Sequence, residues 1–247
     1  MIMLKIIFYG MSDVGLKRSN NEDAFVVEPD LGYCAVADGM GGAASGEIAS
    51  RIFIETSREV FSRRKRTSYH DVIELIHMTF QMANEKILNQ AAENPRHQGM
   101  GCTAELIAFY DEQYILGHVG DSRVYLFRQG KLVRITKDHS LVQDQLDQGI
   151  ITPLEAKTHS LRHMIVRAVG VDDTIAVDII RGRYFDGDVF LLCSDGLTDL
   201  VDDTDIESAL SLRLQLVQKV ENLIALAKAA GGLDNITIVL CEVTSSD

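Results

Sequence analysis

The chain has 247 residues, 46% of them hydrophobic and 24% charged, which is enough apolar material for a sizeable core within one large domain. A formal net charge of -12, from 24 basic and 36 acidic residues, repels a phosphate polymer and argues against nucleic acid as a partner. With three prolines, no Ser/Gly tract and no long charge run there is no linker, so residues 1–247 are read as a single domain.

Short apolar strands are predicted at Lys5–Tyr9, Ala24–Val27 and Tyr33–Ala37. The opening "MIMLKIIFYG" lacks a small-residue cleavage site and reads as the first of these strands, running straight into a polar turn. A helix follows over about Ser45–Phe61. A second has Val72, Leu75, Ile76, Phe80, Ala83, Ile87 and Leu88 at i, i+3/i+4 spacing and is closed by "ENPRHQGMG". Between them lies the basic "SRRKRTS", Ser62–Ser68. It reads as a solvated, cationic helix end rather than a nucleic-acid or membrane patch.

Strands resume at Thr103–Tyr110, Tyr114–Gly120, Arg123–Arg128 and Lys131–Ile135. Their short turns predict an antiparallel meander. A polar, helix-like insert spans His139–His163. Strands at Ile175–Arg181 and Val189–Cys193 precede a helix with Leu216, Val220, Leu223 and Ala227 on one face, and a last strand covers Ile236–Val243. Antiparallel strands interleaved with paired helices predict an α+β fold. No apolar stretch approaches the ~18 residues of a membrane span. The four cysteines are scattered, and Cys34, Cys193 and Cys241 sit in apolar runs as small hydrophobes, which fits a reducing, cytoplasmic setting.

Three apolar runs end on an aspartate: "YCAVADGMGG" on Asp38, "YILGHVGDSR" on Asp121 and "VFLLCSDGLTD" on Asp195. Asp234, in "GGLDNITIV", sits at the start of the final strand. Carboxylates gathered at one sheet rim raise each other's pKa unless a cation intervenes. Such an all-oxygen set suits Mg²⁺ or Mn²⁺. Zinc is disfavoured, because no H-E-x-x-H and no Cys/His pair at ligand spacing is present. Asp186-Gly187-Asp188 reads as an ordinary turn. Spacing alone leaves a metal centre and a set of unrelated turns both open.

The motifs taken together are more specific. "RSNNEDA" (Arg18–Ala24), "VADGMGGAASGEIAS" (Val36–Ser50), "MGCTA" (Met100–Ala104), "GHVGDSRVY" (Gly117–Tyr125), "KDHSLV" (Lys137–Val142), "RAVG" (Arg167–Gly170), "LLCSDGLTD" (Leu191–Asp199) and "GGLDNITIV" (Gly231–Val239) occur in this order. In this the chain closely resembles the bacterial branch of the metal-dependent protein phosphatases (PPM, or protein phosphatase 2C) over nearly its whole length.

The resemblance implies a β-sandwich of two antiparallel sheets flanked by pairs of helices, a four-layer αββα arrangement. It also implies a centre of two Mn²⁺ or Mg²⁺ ions, with a third ion in bacterial members. By position, Asp38 bridges the two ions, Asp195 and Asp234 hold one, and the Gly39 carbonyl serves the other with Glu22 nearby through water. Asp121 with Asp195 holds the third, and Arg18 binds phosphate. The implied reaction is hydrolysis of phosphoserine and phosphothreonine by direct attack of a metal-bridging hydroxide, since two such ions lower the pKa of a shared water toward ~7. Implied partners are phosphorylated proteins and an opposing bacterial Ser/Thr kinase, for a monomeric enzyme with a flap at about 139–165.

Met40 stands where animal members carry a histidine, which leaves a metal-bound water to protonate the leaving group, and Cys102 stands where relatives have Thr or Ser. His118 and His139 read as structural. An aspartyl-phosphate mechanism needs an acid at position 40, which is methionine. A two-metal nuclease is disfavoured by the acidic charge. An inactive binding module on the same fold is the alternative, but such a module is expected to lose a ligand, and all four aspartates and Arg18 are present.

Overall fold

A computed structural model describes residues 4–41, 45–63 and 68–245. Positions 64–67, the centre of the basic run, and 42–44, which include the last glycine of "DGMGG", lie outside the described residues. The chain opens with β1 (Leu4–Asp13), β2 (Asp23–Glu28) and β3 (Tyr33–Met40), followed by α1 (Gly46–Arg63) and α2 (Tyr69–Glu93). Helix α2 starts at a capping box in which Ser68 and Asp71 satisfy each other's backbone N–H groups. Next come β4 (Gly101–Cys102), β5 (Ala104–Tyr110), β6 (Gln113–Val119), β7 (Arg123–Arg128) and β8 (Lys131–Arg134). Two short helices, α3 (Leu141–Asp147) and α4 (Pro153–Thr158), precede β9 (Asp178–Arg183) and β10 (Val189–Cys193). The chain then forms α5 (Asp195–Thr198), α6 (Asp203–Ser211), α7 (Leu216–Ala229) and β11 (Ile236–Ser245).

Two antiparallel sheets result. One has the order β1-β11-β10-β7-β8 and the other β2-β3-β5-β6-β9, with β4 paired to β3 beyond the main path. Strands buried on both faces read as continuous apolar runs, and Val189–Cys193 is buried at every position. Between the sheets Val36, Ile107, Leu116, Phe190, Leu192 and Val239 form a central core. Outside the second sheet, Phe53 of α1 and Ile76 and Phe80 of α2 pack on Leu106. Outside the first, Ile206 of α6 and Val220 and Leu223 of α7 pack on Leu191 and Ile238. The layering is αββα, as the resemblance implied.

Several boundaries differ from expectation. The four strands from Thr103 to Ile135 are not one meander. The β5–β6 hairpin belongs to one sheet and the β7–β8 hairpin to the other. The chain changes sheets at Gly120–Ser122, where Gly120 adopts φ +114° and a Cβ would strike Thr103 at 2.5 Å. Strand β1 does not turn after Tyr9 but pairs with β11 through Asp13↔Ile236. Strand β3 runs two residues past Asp38, because Gly39 and Met40 pair with Cys102 and Gly101. The strand expected from Ile175 begins only at Asp178, and α5 and α6, short and polar in sequence, were not foreseen. The insert is two helices on a closed neck: Val166 N donates to His139 O, and Leu141 N to Met164 O.

Asp186-Gly187-Asp188 is structural, as expected for a turn. Buried Asp188 receives Arg128 Nη2 at 2.7 Å, and Asp186 Oδ1 accepts from Ser245 N.

Candidate metal centre

A cleft of about 600 Å³ opens at one end of the sandwich, lined by Arg18, Glu22, Asp38, Gly39, Met40, Asp195, Asp199, Asp234 and Asn235, with Arg162, His163 and Ile165 from the insert. The fold therefore brings together Arg18, Glu22, Asp38, Gly39, Asp195 and Asp234 from four separate parts of the chain. Asp121 does not line the cleft. Its charge nonetheless bears on both Asp38 and Asp195.

Each group is placed by local structure. Asp38 emerges from the buried run of β3. Its amide donates to Thr103 Oγ1 and its carbonyl accepts from Thr103 N at 2.9 Å, so the strand end is fixed on both sides. Gly39 must be glycine for space: a Cβ would lie 2.1 Å from Gly46 O and 2.5 Å from Glu22 O. Asp195 opens α5 directly after β10; Ser194 holds the N-cap position without a side-chain cap, its hydroxyl donating to Asp23 instead. Asp199 follows one helical turn later and donates its amide to Asp195 O, which puts both carboxylates on one face.

Asn235 ties the N-terminal loop to the centre. Its side chain accepts from Glu22 N at 2.8 Å and donates to Val14 O and Asn20 O. That loop carries Arg18, whose Nη2 reaches Asp234 Oδ2 at 2.7 Å. The other oxygen of Asp234 accepts from Asn235 N.

The electrostatics are those of acids crowded without compensation. Desolvation first, then the charges of Asp23, Asp195, Asp121 and Asp234, push the Asp38 carboxyl well above its ordinary range. Asp195 is pushed up likewise, by desolvation and then by Asp121 and Asp199. Desolvation also raises Asp121 to about 7 and Asp23 to about 6, the latter opposed by hydrogen bonds from Thr237 and Ser194. Arg18 is raised by its bond to Asp234. Oδ1 of Asp121 is buried and has no hydrogen-bond partner. Mutually repelling carboxylates, an orphaned carboxylate oxygen and no cysteine among the described lining residues are the donor set of a hard divalent cation, so the residues present fit Mn²⁺ or Mg²⁺.

The histidines of the motifs are structural. His118 Nδ1 meets Glu105 Oε1 at 2.6 Å and its Nε2 meets Lys137 O at 2.7 Å, all buried. His139 Nδ1 accepts from Gly120 N. Cys102 is fully buried, and desolvation followed by the Asp38 charge holds its thiol neutral, so it packs.

Sequence reasoning missed four contributors. Asp23 faces Asp38 across β2 and β3 and accepts from Ser194 Oγ. Asn235 adjoins Asp234. Asp199 closes the quoted "SDGLTD" at the i+4 position from Asp195, a spacing that could have revealed it. His163 on the insert carried no signal.

Comparison with known proteins identifies the family. The family described as Protein phosphatase 2C matches residues 17–230. Protein phosphatase PhpP of Streptococcus pneumoniae is 35% identical over 240 residues, covering 96% of this chain and 97% of that protein. Serine/threonine protein phosphatase PstP of Mycobacterium tuberculosis is 38% identical across the whole chain, which spans 46% of that longer protein. The structure of the PstP catalytic domain in complex with two manganese ions superposes with a TM-score of 0.89 at 35% identity, covering 98% of this chain and all of that one. The Streptococcus agalactiae serine/threonine phosphatase superposes at 0.91 with 32% identity, over 96% of this chain and 99% of that one. From its motifs, its layered fold and these relatives, the chain belongs to the protein phosphatase 2C family.

Proposed function

We propose that the cleft hydrolyses phosphoserine and phosphothreonine in protein substrates, using divalent ions held by its floor. The observation that carries this is the convergence of Asp38, Asp195 and Asp234 with Arg18 on one cleft. Asp38 would hold two ions, Asp195 and Asp234 one of them, and the Gly39 carbonyl the other with Glu22 nearby. Asp121 and Asp195 would serve a third. When bound, the ions neutralise the phosphate and make water a nucleophile at neutral pH.

The chain's own groups supply the rest. The Arg18 guanidinium can bind two phosphate oxygens at once and stabilise charge in the transition state. Asp234, by pairing with Arg18, sets that fork at the cleft mouth. Met40 has no proton to give, so the leaving serine or threonine oxygen takes its proton from water in the cleft. Walls formed by Leu200, Leu233 and Ile165 accept the apolar flank of a peptide.

Residues 1–247 would act as one catalytic unit, monomeric, with the segment 139–165 serving as a flap over the cleft. The opposing partner would be a bacterial Ser/Thr kinase and the setting cytoplasmic. In support, no helix among the described residues is long and apolar enough to cross a membrane. The alternative of an inactive module finds no lost ligand to support it.

The test is phosphate release from a phosphothreonine peptide with Mn²⁺, with chelator, and for Asp38→Ala. Manganese-dependent release that disappears in the variant is expected. A folded wild-type protein inactive with both Mn²⁺ and Mg²⁺ would overturn the reading.

A further inference from the structure

The insert meets the sandwich at one histidine. The His139 amide donates to Gly120 O at 2.7 Å, and the Gly120 amide donates back to His139 Nδ1 at 3.0 Å. Across the neck, the His139 carbonyl accepts from Val166 N at 2.9 Å. At the far edge of the ring, Nε2 lies 3.2 Å from Asp178 Oδ2 on β9. Arg167 Nη1 lies beside it and donates to Asp178 Oδ1 at 2.7 Å. One residue therefore joins both legs of the neck, the β6–β7 corner and β9.

Only one form of the ring satisfies these bonds. An N–H faces Nδ1, so the ring hydrogen sits on Nε2 and donates to Asp178. Burial, then the charge of His118, lower the His139 pKa to about 4 and keep the ring neutral. His118 stacks on it with ring centroids 4.4 Å apart. That second ring is itself fixed by Glu105 and by the carbonyl of Lys137, two residues before His139 on the same leg.

We propose that His139 is a positioning residue for the phosphatase reaction, setting the angle at which the insert leaves the sandwich and so placing Arg162 and Ile165 against the peptide around the phosphorylated residue. This rests on the phosphatase reading above. Arg162 and Ile165 line the cleft from the insert. The lever to them is short, because Ile165 precedes the Val166 that His139 holds and bridges to Ser140, the residue after His139. Asp38 is fixed by Thr103, and Arg18 by Asp234, without the neck. Loss of the ring therefore loosens the grip on the peptide and spares the chemistry, since small misplacements of binding groups are costly.

A small aryl phosphate has no peptide flanks and separates the two effects. The full chain would be assayed with Mn²⁺ on a phosphothreonine peptide and on 4-nitrophenyl phosphate, as wild type, His139→Ala and His139→Asn, beside thermal melts. The Asn carbonyl takes the place of Nδ1 and still accepts from Gly120 N. His139→Ala should lower kcat/KM for the peptide about tenfold, mainly through KM, the value of one or two hydrogen bonds, and leave the aryl phosphate within about twofold. His139→Asn should recover most of the loss. His139→Gln, which reaches Asp178 but not Gly120 N, carries the same comparison if the alanine variant does not fold. Ring-nitrogen NMR of the wild type should show His139 protonated on Nε2 alone. An equal fall on both substrates, no fall on either, Asn no better than Ala or Gln, or a proton on Nδ1 would overturn the proposal and leave His139 a packing residue. Wild-type protein inactive on both substrates would instead overturn the phosphatase reading, and this inference with it.

Discussion

Arg18 and Asp234, 216 residues apart in the chain, hold each other at the mouth of the cleft through a 2.7 Å contact between Nη2 and Oδ2. Both side chains are more than a third exposed, so the pair adds little to stability. Its importance is positional: the residue best suited to grip phosphate is aimed by one suited to hold metal. Arg18→Ala should therefore leave the melting temperature nearly unchanged while lowering kcat/KM about 10–100-fold, the value of a charge-assisted hydrogen bond or two. Arg18→Lys should restore only part, since an ammonium cannot fork. Steady-state kinetics beside thermal melts would check both.

The acid cluster makes stability depend on pH and metal together. Asp23 at about 6 and Asp121 at about 7 lie above the ordinary 3.8, and Asp38 and Asp195 well above it. Such groups bind protons more tightly folded than unfolded, so their contribution is intact below about pH 4 and lost as pH rises through 6 to 7. In chelator the protein should lose stability across that window. Divalent ions replace the protons, so stabilisation by Mn²⁺ should be greater at pH 8 than at pH 5. Melts at both pH values, with and without Mn²⁺, would show it, and an equal Mn²⁺ effect at both would contradict it.

Asn235 makes three hydrogen bonds that fasten the loop bearing Arg18 and Glu22. At about 1 kcal/mol each, Asn235→Ala should cost roughly 3 kcal/mol and reduce activity through that loop. Asn235→Asp keeps the acceptor for Glu22 N but loses both donors, and should fall between. Urea denaturation with parallel assays would rank them.

Buried Glu105 and His118 form a pair far from solvent. Against desolvation, the Glu105 carboxylate lifts His118 to about 9. Removing one partner strands the other, so Glu105→Ala should destabilise by about 3–5 kcal/mol. Denaturation would measure this, and a loss under 1 kcal/mol would show the pair to be dispensable.

The sheet layers were legible because their strands are plainly periodic: Val189–Cys193 falls where its apolar run predicts. The change of sheet at Gly120 was not, since a three-residue corner and a hairpin turn use the same residues and only packing decides between them. Asp38, Asp195 and Asp234 stood out as acids at the ends of apolar strands. Asp199 caps the C-terminal end of a four-residue helix, and only its i+4 spacing from Asp195 marked it in the sequence. His163 sits in a polar insert whose approach to the floor depends on the closed neck at His139 and Val166.

The most direct test of the account is anomalous diffraction at the manganese edge from crystals grown with Mn²⁺. It predicts two strong peaks flanking the Asp38 carboxylate, one near Asp195 and Asp234 and the other near the Gly39 carbonyl. A cleft without manganese in crystals of active protein would contradict it.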